Sequence, residues 1–244
     1  MPSRKAALPA RATRLSRLAA AWRLLVLVIA LGAFYRAGPA LCAWWFAPHQ
    51  PDRFDQTAFY FSLLLVLAAL LTLGLERLRD LPSLFRSRDK LPAQLIWAIS
   101  AVACIYAFDV LVAVPYWLWF RPTGEVGSPT AKTLFAAATQ NRAALVLLVT
   151  AIGAAAEELF FRGLLLRYLT DLFRAPKLAI LTSAAFFGLA HLGAGYFNAL
   201  IALWMGIVLG AIYARRGGLL TVVAAHFLFN ASNLLLVPAI WHAE

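Results

Sequence analysis

Apolar residues in this chain come in long runs rather than in strict alternation. Stretches at about 22–46, 57–75, 93–120, 143–166, 177–192, 196–214 and 218–240 hold few charges. Each approaches or exceeds the roughly 20 residues that a helix needs to cross a bilayer. The separators at 48–56, 76–90, 121–129, 170–177, 193–195 and 215–218 are polar or rich in Pro and Gly. This pattern predicts seven membrane-spanning helices. An amphipathic stretch at 130–141 adds a short interfacial helix or part of an eighth, and no internal repeat is visible. The expected fold class is therefore all-α, a polytopic membrane bundle of seven to eight helices.

Composition supports the same solvent. Of the 244 residues, 63% are apolar and 14% charged, against about 45–50% and about 25% in a soluble domain. Mean hydropathy is +0.77. These values exclude a disordered chain and argue against a water-soluble enzyme. The formal charge of +11 would suggest nucleic acid in a soluble protein. In a chain this apolar, Lys and Arg instead set topology from the cytoplasmic loops, and no nucleic-acid partner is expected. Cys42 and Cys104 lie in apolar surroundings and give no disulfide framework or metal-knuckle spacing.

Residues 1–23 carry Arg4, Lys5, Arg11, Arg14, Arg17 and Arg23 with no acid, ahead of an apolar run from Leu24 to Phe34. A charged region before an apolar one is also how a signal peptide begins. No convincing small-x-small cleavage site follows, so a retained first span is the expectation. Three regions follow: a basic N-terminal segment at 1–21, N-terminal transmembrane helices over 22–130, and a core over 131–244. With the N-terminus inside, alternating loops place seventeen basic residues on one face and only Arg36, Arg53, Arg121, Lys132 and Arg142 on the other. That is the asymmetry of cytoplasmic loops, and Trp44, Trp45, Trp117, Trp119 and Trp241 fall near the opposite ends, where an aromatic belt belongs. A multi-pass protein of the cell (inner) membrane is expected, with the bilayer itself as a partner.

Ionisable groups inside spans cost about 2.5–3.5 kcal/mol each at the helix centre, which makes them functional candidates. Here they are Asp109, Glu157, Glu158, Arg162, His191 and His226, with Asn230 as a polar companion. Glu158 and Arg162 stand at i and i+4 with the acid first, the favourable order for an ion pair along one helix. Glu157, about 100° further around, is left for another partner. A helix end at the surface would hold the same three residues, yet apolar residues continue through Leu166. His191 taken alone reads as interfacial. However, Glu157 lies 17 residues before a turn centred near Arg174 and His191 lies 17 after it. In an antiparallel pair both sit about 25 Å from that turn. His226 and Asn230 share a face of the last span, roughly 15–21 Å from Arg216. Three helices thus bring an acid, two imidazoles and an amide to comparable depths.

The chemistry open to such a set is narrow. Gly-x-Ser-x-Gly and His-Glu-x-x-His are both absent, as are serine and paired-aspartate intramembrane protease signatures. A carboxylate beside imidazoles suits activation of water, and an imidazole with an amide N–H suits stabilisation of an oxyanion. Together they indicate hydrolysis of an acyl bond, a peptide above all, inside the membrane. Asp109, in mid-span, either lines the cavity or bonds to a neighbouring helix. Gly206-x-x-x-Gly210 is a close-packing motif within the bundle, or between copies.

Glu157-Glu158-x-x-x-Arg162, Phe187-x-x-x-His191 and His226-x-x-x-Asn230 resemble the three motifs of the CAAX-protease and bacteriocin-processing family. These are glutamate-dependent intramembrane proteases that include the type II prenyl-protein endopeptidases. The resemblance covers about 140–235 and implies an eight-helix membrane fold. It further implies that Glu157 activates water, that His191 positions it, that Glu158 and Arg162 support the site, and that His226 and Asn230 form the oxyanion hole. It also implies a membrane protein or peptide substrate, cut in or near a membrane-embedded or C-terminal segment. Members have been described as metalloproteases, and Glu157, His191 and His226 are three residues that could bind zinc. The expectation is nevertheless no cofactor, because asparagine is a poor zinc ligand and a good oxyanion donor. The Ala-, Leu- and Arg-rich composition suggests a bacterial source, where processing or sorting of an exported protein is expected over a prenylated substrate. Two other classes compete: an immunity factor or scaffold that binds partner helices without cutting, and a transporter or proton relay, which also uses buried Glu and His.

Overall fold

In a computed structural model of the chain, residues 81–120, 143–192 and 195–235 are described. The predicted spans at 22–46 and 57–75 and the stretch at 130–141 lie outside these residues, as does the choice between seven and eight spans. The described residues are helical throughout their regular structure. The elements are α1 (Leu81–Phe85), α2 (Leu91–Phe108), α3 (Val114–Phe120), α4 (Ala143–Glu158), α5 (Leu166–Phe173), α6 (Pro176–Ala190), α7 (Tyr196–Arg216) and α8 (Leu219–Leu235). Two π-helical stretches join neighbours into longer rods, Asp109–Ala113 between α2 and α3 and Leu159–Leu165 between α4 and α5. The span expected at 143–166 thus continues helically to Phe173, where Arg174 enters the left-handed conformation (φ 52°) and ends it.

Helix is what these apolar runs must form, because hydrocarbon offers backbone N–H and C=O groups no other partner. Proline opens α2 and α6, where its missing N–H costs nothing. Leu91–Val112 and Tyr196–Arg216 are long and apolar enough to cross a membrane, while Pro176–Ala190 and Leu219–Leu235 are shorter apolar helices. Only 17% of the most apolar window of Leu91–Val112 is buried. A core helix of a soluble protein hides its apolar face; this one displays Leu95, Ile96 and Ile99. Within the α4–α5 rod, meanwhile, charges sit inside: Glu158 and Arg162 are among the most buried side chains. Apolar outside with ions inside is the arrangement of a protein dissolved in lipid.

Helices α6 and α7 form the tightest pair. A Cβ on Gly206 would lie 2.8 Å from Ala184 Cα, and one on Gly188 would lie 2.9 Å from the Ala199 carbonyl oxygen. The Gly206-x-x-x-Gly210 stripe therefore packs within the bundle, with Gly210 against Ile180. Helix α8 is tied to α2 by two polar seams. The Thr221 hydroxyl donates to Gln94 Oε1 at 3.1 Å. Further along, the Tyr106 hydroxyl meets Ser232 Oγ at 2.7 Å and donates to Asn233 Oδ1 at 3.0 Å. In consequence the start of α2, the α5–α6 turn and the α7–α8 turn share one end of the bundle. Among the described residues, every Lys and Arg except Arg162 belongs to that end. At the other, Trp119 and Tyr196 are exposed.

Because the clash at Gly206 is with backbone, Gly206→Leu should lower the thermal midpoint in detergent, by about 1–3 kcal/mol of overpacking or more. Gly195→Ala, where a Cβ meets nothing within 4 Å but φ is +105°, should cost less. Melting curves of the two variants decide it.

Candidate active site

The site is assembled where α4, α6 and α8 converge. Glu157 and Glu158 are the last two residues of α4, immediately before the π-helical stretch. Such stretches are frequent at functional sites. His191 caps α6 with φ −94° and ψ 0°, the sparsely populated bridge region where many active-site residues sit. His226 is held in the middle of α8 and is almost fully buried.

The two glutamates have opposite environments. Glu158 is wholly buried, its Oε1 accepting from Arg162 Nη1 at 2.7 Å and from His226 Nδ1 at 2.8 Å. The same-helix pair read from the i, i+4 spacing is present; the bond from His226 is an addition. Sequence could not signal it, since the two residues stand 68 positions apart and the Arg162 partnership already accounted for the acid. Glu157 is one-fifth exposed. Its Oε2 lies 4.0 Å from His191 Nε2 and 3.9 Å from His226 Nε2, and it has no hydrogen-bond partner among the described residues. The equal spacing of Glu157 and His191 about Arg174 does bring the two together.

Ring tautomers follow from the acceptors. His191 Nδ1 faces its own helix, 2.8 Å from the Phe187 carbonyl oxygen. A carbonyl only accepts, so Nδ1 carries the proton and Nε2 turns its lone pair toward Glu157. His226 Nδ1–H donates to Glu158 in the same way, and its Nε2 also points at Glu157. Two carbonyl-type acceptors therefore aim two imidazoles at one carboxylate oxygen.

Phe187, fully buried, packs this constellation from beneath. Its ring lies 4.6 Å from His191, 5.9 Å edge-on from His226, and 4.8 Å below the Arg162 guanidinium. Phe161 meets it edge-to-face at 4.7 Å. Ser183, which the sequence did not single out, donates its buried hydroxyl to the Phe161 carbonyl at 3.2 Å and fixes α6 against the π-helical stretch. Asn230 stands one turn beyond His226, half-buried on the same helix. Asp109 opens the other π-helical stretch on α2, half-buried, and makes no bond to the three-helix cluster.

A carboxylate oxygen about 4 Å from each of two imidazole nitrogens is too distant for direct hydrogen bonds, the separation at which polar groups meet through a shared water instead. Ligands on a tetrahedral zinc, at about 2.0–2.1 Å from the metal, stand about 3.3 Å apart. Glu157 Oε2 stands further than that from each imidazole Nε2.

Residues 139–232 match the family model of the Rce1-like type II CAAX prenyl endopeptidases. All three motifs fall inside that segment, which is the part of the chain for which the resemblance is shown. No curated protein and no solved structure matches the chain.

Removing one member of a buried ion pair strands the other, at a cost of roughly 3–5 kcal/mol. Arg162→Met should therefore destabilise the protein severely, whereas Glu158→Leu/Arg162→Met should recover part of the loss. Denaturation of both variants and of Glu158→Leu completes the cycle; additive losses would mean that the pair carries no coupling.

Proposed function

We propose that the protein is an intramembrane endopeptidase in which Glu157 activates a water molecule. The observation that carries this reading is the convergence of Glu157 Oε2 and two imidazole Nε2 atoms at 3.9–4.0 Å. A water in that space donates one O–H to Glu157 and the other to His191 Nε2, leaving a lone pair free for attack. Glu157 takes the proton as the C–O bond forms. The oxygen of the tetrahedral intermediate is met by the amide of Asn230 beside the His226 ring, whose Nδ1–H stays on Glu158. As the C–N bond breaks, Glu157 returns its proton to the leaving nitrogen. Glu158 and Arg162 orient His226 without touching substrate. No metal enters these steps.

The endopeptidase family matched by residues 139–232 favours peptide hydrolysis over the scaffold and transporter readings. So does the site itself, since a helix-binding scaffold has no use for two imidazoles turned by their own acceptors onto one carboxylate. The substrate we infer is a membrane protein or peptide cut in or near its embedded or C-terminal segment, with a processed exported protein preferred to a prenylated one.

Loss of a positioned general base usually costs about 10²–10⁴ in rate. Glu157→Gln and His191→Ala should each lower peptide cleavage by that much with membrane insertion and melting unchanged. Cleavage that persists in both variants would end the protease reading. Stoichiometric zinc in the active protein, with cleavage lost on chelation and restored by zinc, would replace the metal-free mechanism.

A further inference from the structure

At the basic end of the bundle, the strap joining α1 to α2 is locked onto the α7–α8 turn. Ser87 and Gly217 form an isolated antiparallel bridge. The Arg88 N–H donates to the Arg216 carbonyl at 2.9 Å, and Arg88 Nη1 donates to the Arg215 carbonyl at 3.0 Å. The approach is close enough to require glycine: a Cβ on Gly217, at φ +66°, would lie 2.9 Å from the Arg86 carbonyl oxygen, and one on Gly218 would lie 2.7 Å from Ser87 Cβ.

This clasp brings together two short segments that carry Arg86, Arg88, Lys90, Arg215 and Arg216, and among their described residues the one acid is Asp89, 3.7 Å from Arg216. Arg216 is further engaged over the Trp97 ring at 4.5 Å. Arg86, Arg88, Lys90 and Arg215 remain exposed. Such crowding of like charge is unfavourable unless an anion relieves it. The surface beside these cations is apolar: Phe85, Leu91, Leu95 and Leu220 are all about half exposed or more. A polyanion such as nucleic acid fits the charge and leaves the apolar side chains uncovered. An amphiphile with a phosphate head and hydrocarbon tails fits both.

We propose that the Ser87–Gly217 clasp is a binding site for an anionic phospholipid. Arg86, Arg88, Lys90 and Arg215 take its phosphate, and its acyl chains lie along Phe85, Leu91, Leu95 and Leu220. Basic clusters at the end of a membrane helix attract anionic headgroups in this manner. The site is separate from the glutamate–histidine cluster and does not depend on the protein being a protease.

The test is lipid binding by the full-length protein in detergent, read as adducts in native mass spectrometry with phosphatidylglycerol and phosphatidylcholine as competing probes. Wild type should retain phosphatidylglycerol preferentially. Arg86→Gln/Lys90→Gln/Arg215→Gln spares the hydrogen bonds of the clasp and should lose that preference, with affinity falling on the order of a hundredfold. Arg215→Gln alone should show a smaller fall in the same direction if the triple variant proves unstable. Arg174→Gln/Lys177→Gln, at the same end but outside the clasp, should bind as wild type does. Equal retention of the two lipids, or an equal loss in the Arg174/Lys177 variant, overturns the proposal. Displacement of the lipid by inorganic phosphate at a comparable concentration would reassign the site to free phosphate.

Discussion

A carboxylate with no access to water has to be neutralised by its own protein, and Glu158 imposes that demand on three helices. Its Oε1 takes one hydrogen bond from Arg162, on its own rod, and one from His226, on α8. In a low-dielectric interior each partner is worth far more than at a surface, and each omission costs correspondingly more. The position of α8 relative to α4 is thus not free to drift. Phe187 presses beneath the same groups from α6, so the third helix is fixed by the same charge. Glu157 and His191, which face each other beside this frame, inherit its rigidity. Glu157 needs no strong partner of its own, because the residue beside it has fixed the frame.

The division of labour between the adjacent glutamates follows from helix geometry. A step of 100° points one acid into the packed interior and the other into the space between imidazoles. The first is held through its Oε1 by Arg162 and His226, and the second is one-fifth exposed. A single glutamate could not point both ways.

Much of this was legible in the sequence. The apolar runs gave the long helices of the described residues to within a few positions, except that the 143–166 span continues to Phe173, and α1 falls in the stretch 76–90, which reads as a separator. Glu157 and His191 could be matched by counting because they flank one turn of one antiparallel pair, where equal sequence distance means equal depth. The same arithmetic placed His226 only loosely, about 15 Å from its turn against about 25 Å for the others. The inclination of a third helix is set by packing, and no count along the chain contains it. Nor could sequence reveal the bond from His226 to Glu158 or the Ser183 contact, since both join residues that share no period. The glycine stripe on α7 was readable as close packing because nothing else explains small residues at that spacing in an apolar helix.

That stripe bears on which seams of the bundle could open. With Gly206 and Gly188 set against the backbone of the facing helix, α6 and α7 have almost no side-chain cushion to slide on or part across, and they behave as a single plank. Parting them would break the packing of the bundle. Any opening between helices has to lie along another seam, with His191 carried at the plank's end.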